Sequence, residues 1–143
     1  MKRIQYIIST LFLLFALQIS TGQINRTLDT KVVDILAQFP TEDLEHSDRL
    51  MQEMLDLGTE GIQKFHERIV PLGTGDDTQA RYAVHSLAVY AGKYHTGTVE
   101  KTLLSALEEA QHKEVKTFFI DRLAFCGTDA SVETLGKYLS DDE

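Results

Sequence analysis

Apolar residues recur at helical spacing along almost the whole chain. Leu28, Val32, Ile35, Leu36 and Phe39 share one face of a helix, and Pro40 ends it. Asp29 stands near its start, where negative charge suits the helix dipole. Leu50, Met51, Met54, Leu55 and Leu57 form a second face, closed by Gly58, with Thr41 or Ser47 placed to cap its start. Thr59 is placed to cap a short helix carrying Ile62, Phe65 and Ile69, before Pro71 and Gly73-Thr74-Gly75 break the chain. A longer helix follows, capped by Asp76 or Asp77 and stopped at Gly92. Ala80, Ala83, Val84, Leu87, Ala88 and Ala91 give it a face of small residues, which lets neighbouring helices come close. After the connector 93–97 comes a helix with Val99, Leu103, Ala106, Leu107 and Ala110, then a turn at Gln111-His112-Lys113. Val115, Phe118, Phe119, Ile120 and Leu123 mark the next helix, closed by Gly127. Thr128 or Asp129 caps the last, with Val132, Leu135, Tyr138 and Leu139. The pattern predicts an all-α chain beyond Gln23, with seven helices and no sheet.

These helices repeat. At an offset of 69, Leu50, Met51, Met54, Leu55 and Gly58 fall on Phe119, Ile120, Leu123, Ala124 and Gly127. With one residue inserted, Ile62, Phe65 and Ile69 then fall on Val132, Leu135 and Leu139. At an offset of 35, Ala80, Arg81, Val84, Ala88, Ala91 and Gly92 fall on Val115, Lys116, Phe119, Leu123, Cys126 and Gly127. Leu103 and Leu107 correspond to Leu135 and Leu139. Helix pairs at a period near 35 predict an α-solenoid of about three antiparallel pairs, in which stacking buries the faces that no pair can bury alone. An irregular all-α bundle is the alternative, but it leaves the shared glycine stop and capped restart unaccounted for. The first helix has no partner of its own and is expected to cap the array.

The stretch Asp-Asp-Thr-Gln-Ala-Arg-Tyr-Ala at 76–83 and Glu-Val-Lys at 114–116 resemble the acid-x-x-Arg start of HEAT-like repeats. The glycines at 92 and 127, each followed by a second helix, fit the same pattern. The resemblance covers roughly residues 43–143, and departs from the family at Ser47-Asp48-Arg49. It implies a scaffold for binding protein or ligand, and it assigns Asp77 with Arg81, and Glu114 with Lys116, to tying neighbouring repeats together. It also implies that such a module can be the leading part of a longer secreted enzyme.

The ends modify this picture. Lys2 and Arg3 precede a short, mostly apolar stretch from Ile4 to Ile19, and Ser20-Thr21-Gly22 supplies small residues before Gln23. That arrangement predicts a secretory signal peptide over 1–22, an N-terminal capping helix over 23–40 and a repeat domain over 41–143, in an exported, periplasmic or extracellular protein. An uncleaved anchor is the alternative; otherwise the membrane is met only in transit. The formal charge is −8, and cleavage would remove two basic residues and no acids. An acidic surface argues against nucleic acid or an anionic bilayer as partner. The expected partner is a protein, or a following domain of the same chain. The apolar residues of the last helices, ahead of Ser140-Asp141-Asp142-Glu143, suggest an unfinished stacking surface through which the chain could self-associate.

Chemistry is sparse. Gly73-Thr74-Gly75-Asp76-Asp77 lacks the lysine and preceding strand of a phosphate loop, and two acids stand where an anion would bind. Its acids also lack the ligand spacing of a calcium loop. His46, His66, His85, His95 and His112 form no tight ligand set and are expected on the surface or in a groove. Cys126, the only cysteine, aligns with Ala91 on the packed face and reads as a small hydrophobe. No catalytic residue, metal or cofactor is expected, and the chain reads as a non-enzyme.

Overall fold

A computed structural model describes residues 26–139. Among them run seven α-helices and no strand: α1 (Leu28–Leu36), α2 (Leu44–Asp56), α3 (Gly58–His66), α4 (Thr78–Tyr94), α5 (Gly97–Glu109), α6 (Lys113–Cys126) and α7 (Asp129–Leu139). Residues 1–22, expected as a signal peptide, and the acidic residues 140–143 lie outside the described residues.

Local chemistry sets most of the boundaries. Thr27 caps α1, its hydroxyl accepting from the Thr30 N–H at 3.3 Å. α2 is capped by Asp43, whose carboxylate accepts from His46 N–H at 2.7 Å. Neither Thr41 nor Ser47 holds that position, and Ser47 lies inside the helix. Asp43 has the extended backbone a cap needs, and its charge meets the positive end of the helix. α3 starts immediately after α2, with Leu57 between them and no side-chain cap. Thr59 therefore lies within the first turn of α3. The redirection comes from Gly58, whose φ of +68° is a left-handed turn that suits glycine.

Gly92 does not stop α4, contrary to its reading as a shared repeat signal. The helix runs on to Tyr94 and ends at His95, which takes the left-handed conformation at φ 56°. Gly92 instead marks where α4 meets the last turn of α6. A Cβ built there would lie 2.0 Å from the Phe125 carbonyl oxygen. The three aligned glycines thus do three jobs: Gly58 turns the chain, Gly92 admits a neighbouring backbone, and Gly127 ends α6 in an extended conformation.

α4 is the hub. Its small face is buried, and it packs against α1, α2, α3, α5 and α6. It lies between α2 and α6; α5 likewise lies between α3 and α7, and α1 packs on α3. One core runs through these contacts, with Leu50, Met51, Met54, Ile62, Phe65, Leu87, Leu103, Leu107 and Leu123 fully enclosed. Burying a side chain of that size contributes on the order of 2 kcal/mol.

The last helix is tied in by a polar contact absent from the sequence reading. Glu100 on α5 is buried, and its carboxylate accepts from Thr128 N–H at 2.7 Å, from the Thr128 hydroxyl at 3.0 Å and from the buried Ser131 hydroxyl. Burial raises the Glu100 pKa, but these hydrogen bonds outweigh it and hold the carboxyl below its ordinary range. The charge also sits at the start of α7, where free N–H groups favour an anion.

Candidate functional site

The segment between α3 and α4 is held by the residues that open α4. Asp77 Oδ2 accepts from Val70 N–H at 2.9 Å, while Asp77 Oδ1 accepts from Arg81 Nε at 2.8 Å. Arg81 Nη2 donates to the Val70 carbonyl at 2.9 Å. The ion pair therefore satisfies both backbone groups of one loop residue. Burial raises the Asp77 pKa, yet the bonds from Arg81 and Val70 and the guanidinium charge bring it below normal. Arg81 also reaches α6, its guanidinium carbon lying 4.9 Å from the centre of the Phe118 ring. One side chain thus touches its own turn and α6.

A second guanidinium meets the same ring. Arg122 lies 4.8 Å from Phe118 and 5.7 Å from Phe125. Phe118, Arg122 and Phe125 are spaced to share one side of α6, facing Thr78, Tyr82 and His85 on α4. Between the helices lies a groove of about 350 Å³ lined by Thr78, Arg81, Tyr82, His85, Phe118 and Arg122. Tyr82 and Phe125 are each 48% exposed. The His85 ring stands edge-on to Phe125 with centres 5.2 Å apart. Burial, then the Arg122 charge, lowers its pKa, so it is neutral at pH 7.

The decisive contrast is between the two arginines. Arg81 is spent on Asp77 and Val70. Arg122 has no carboxylate partner among the described residues, and its buried Nε has no hydrogen-bond acceptor. A guanidinium stacked on aromatic rings keeps its in-plane donors free, and those donors match a carboxylate. The groove can therefore hold a carboxylate beside an apolar group.

Of the two pairs assigned by resemblance, the structure brings Asp77 and Arg81 together. Glu114 is exposed, and Lys116 lies 5.5 Å from the Tyr138 ring on α7. No ion pair joins Glu114 to Lys116, since residues two apart diverge on a helix. Cys126 is partly buried, and burial followed by the Glu100 charge pushes its thiol up to about 11. Of the surface or groove positions expected for the histidines, His66 takes the second: it is 5% exposed and lines a pocket with Ile69, Val115 and Phe119. Among the described residues, no three His, Cys, Asp or Glu side chains gather as a metal site. No protein-family model, curated protein or solved structure matches the chain.

Arg81→Ala should cost about 2 kcal/mol, seen as a melting temperature several degrees lower. The variant leaves the Asp77 carboxylate, 10% exposed, without its cation and the Val70 carbonyl without its donor. An unchanged melt would mean that the clasp contributes nothing to the fold.

Proposed function

We propose that this chain is a non-catalytic binding module of an exported protein, and that its α4–α6 groove takes an acidic protein segment. We read its architecture as a HEAT-like α-solenoid, with α2–α3, α4–α5 and α6–α7 as the pairs and α1 as the cap. The order of packing supports this, since each helix from α3 to α5 lies against the helices two places before and after it. The export reading rests on the basic-then-apolar start of the sequence. The raised Cys126 pKa supports a chain without a thiol nucleophile.

The observation that carries the partner assignment is Arg122, a guanidinium held over the Phe118 ring at the side of the groove, with no carboxylate partner among the described residues. The chain's charge of −8 repels an acidic partner at long range. At physiological salt that repulsion is screened beyond about 8 Å, while a carboxylate within the groove meets Arg122 at contact distance. Local complementarity therefore outweighs net charge, and steering is weak.

Fluorescence anisotropy with labelled peptides tests this. A peptide alternating Glu with Phe or Leu should bind saturably, and its Lys counterpart should not. Arg122→Glu should weaken binding at least tenfold without moving the melting temperature by more than a few degrees. Equal binding of both peptides, or an unaffected Arg122→Glu variant, would overturn the assignment.

A second reading makes the module the leading part of a longer exported enzyme. It is favoured by apolar exposure on the last pair, Phe125 at 48% and Val132 at 62%, which a following domain would cover. A second copy would cover the same residues, and light scattering on the 23–143 chain separates a monomer from that dimer.

A further inference from the structure

Thr78, Tyr82 and His85 follow one another at helical spacing, so α4 carries them on one side, opposite Phe118 and Arg122 of α6. Of the chain's five histidines, His85 is the one that lines this groove. Its placement, its access and its charge each bear on what the groove holds.

Placement comes from Phe125. The His85 ring centre lies 5.2 Å from that of Phe125, and the Arg122 guanidinium carbon lies 5.7 Å from the same ring. Imidazole and guanidinium thus flank one aromatic side chain, and the Arg122 charge is felt at the imidazole. A single carboxylate between them meets both.

Access distinguishes the two ring nitrogens. Nδ1 is enclosed and has no hydrogen-bond partner. Nε2 is not enclosed, and among the described residues nothing bonds to it. A ligand in the groove therefore meets Nε2, which donates in one neutral tautomer and in the charged ring.

Partial burial, then the Arg122 charge, holds the free ring neutral at pH 7. Arg81 also lines the groove, but Asp77 matches its charge, and Tyr82 adds a phenol. No charged group of α1, α2, α3 or α5, the other helices packed on α4, acts on the ring. A carboxylate engaged by Arg122 changes this balance. It offsets the repulsion and adds an attraction, and both favour the charged imidazole.

We propose that His85 is a second carboxylate contact in the α4–α6 groove and takes a proton from solvent as an acidic segment binds, so that the module holds its partner more tightly at mildly acid pH. This role rests on the reading of the groove as the site for such a segment. Nε2–H donates to the carboxylate that Arg122 engages, and at most one proton is taken up per groove. At alkaline pH the ring is neutral both free and bound, and affinity is flat. As pH falls the bound ring charges first, and affinity rises until the free ring charges too.

Calorimetry at pH 8 and pH 6 tests this with an acetylated, amidated peptide alternating Glu with Phe. The peptide should bind about threefold or more tightly at pH 6. At pH 6.5 the heat of binding should differ between two buffers of unlike ionisation enthalpy, because the proton is drawn from the buffer. His85→Gln should remove both the pH dependence and the buffer dependence. The other four histidines do not line the groove and remain in that variant as its control. Equal affinity at both pH values, a heat independent of buffer, or a His85→Gln protein as pH-sensitive as the parent would overturn the role of His85 alone. A peptide that binds at neither pH would overturn the groove as a carboxylate site, and this role with it.

Discussion

Gly92→Ala should lose about 3 kcal/mol of stability, even though alanine is the better helix former by roughly 1 kcal/mol. The added Cβ would lie 2.0 Å from the Phe125 carbonyl oxygen and 3.0 Å from its carbon. Both are backbone atoms in the last turn of α6, so no rotamer change relieves the clash. The helices must part, and with them Ala88 and Ala91, which are buried on the same helix. Gly136→Ala provides the contrast. Gly136 lies inside α7, and a Cβ there meets nothing within 4 Å. That variant should be neutral or gain up to about 1 kcal/mol. Urea unfolding of the two variants beside the parent measures the difference. A Gly92→Ala protein as stable as the parent would show that α4 and α6 pack more loosely than the contact implies.

Acid should weaken the fold through His66 before most carboxylates are protonated. Burial lowers its pKa from 6.5 to about 4, opposed by the Thr102 backbone. Above pH 6.5 the ring is neutral both folded and unfolded, and its stability contribution is intact. As pH falls below 6.5 the unfolded chain takes up the proton first, which favours unfolding. The loss grows at up to 1.36 kcal/mol per pH unit and levels off near pH 4, reaching on the order of 3 kcal/mol. His85 is also lowered and titrates in the same direction, less strongly because it is less enclosed. Urea midpoints at pH 7, 6 and 5 for the parent, His66→Phe and His85→Gln divide the effect. His66→Phe should flatten the profile between pH 6.5 and 5, and His85→Gln should leave most of it. A His66→Phe profile as steep as the parent's would assign the acid sensitivity elsewhere.

Periodicity made the helices legible because each face is set by residues a few positions apart. The small face of α4 was visible for the same reason, as was the Asp77–Arg81 pair, whose spacing of four is one helical turn. The less legible features depend on how helices meet. Gly58, Gly92 and Gly127 look alike in a repeat alignment, and only the crossing of α4 with α6 distinguishes the second from a stop. Glu100 and Ser131 are 31 residues apart, and no local rule joins them. His66 reads as polar, yet α3 packs against α1, α2, α4 and α5, so most of its circumference is enclosed. For Arg122 a signal was present: it lies one turn after the core residue Phe118 and three residues before the exposed Phe125, so the two rings flank it on α6.

The Glu100 tie gives the last helix a thermal character unlike that of its neighbours. Leu135 and Tyr138 reach the core only in part, so α7 is held largely by hydrogen bonds to one carboxylate. Apolar burial carries a large heat-capacity change and weakens on cooling, whereas polar burial changes heat capacity in the opposite direction. Chilling should therefore loosen the alanine-lined centre of the molecule while leaving the grip on α7 nearly constant. The last described helix, whose Leu135 and Tyr138 are only partly buried, would be the part whose attachment depends least on temperature.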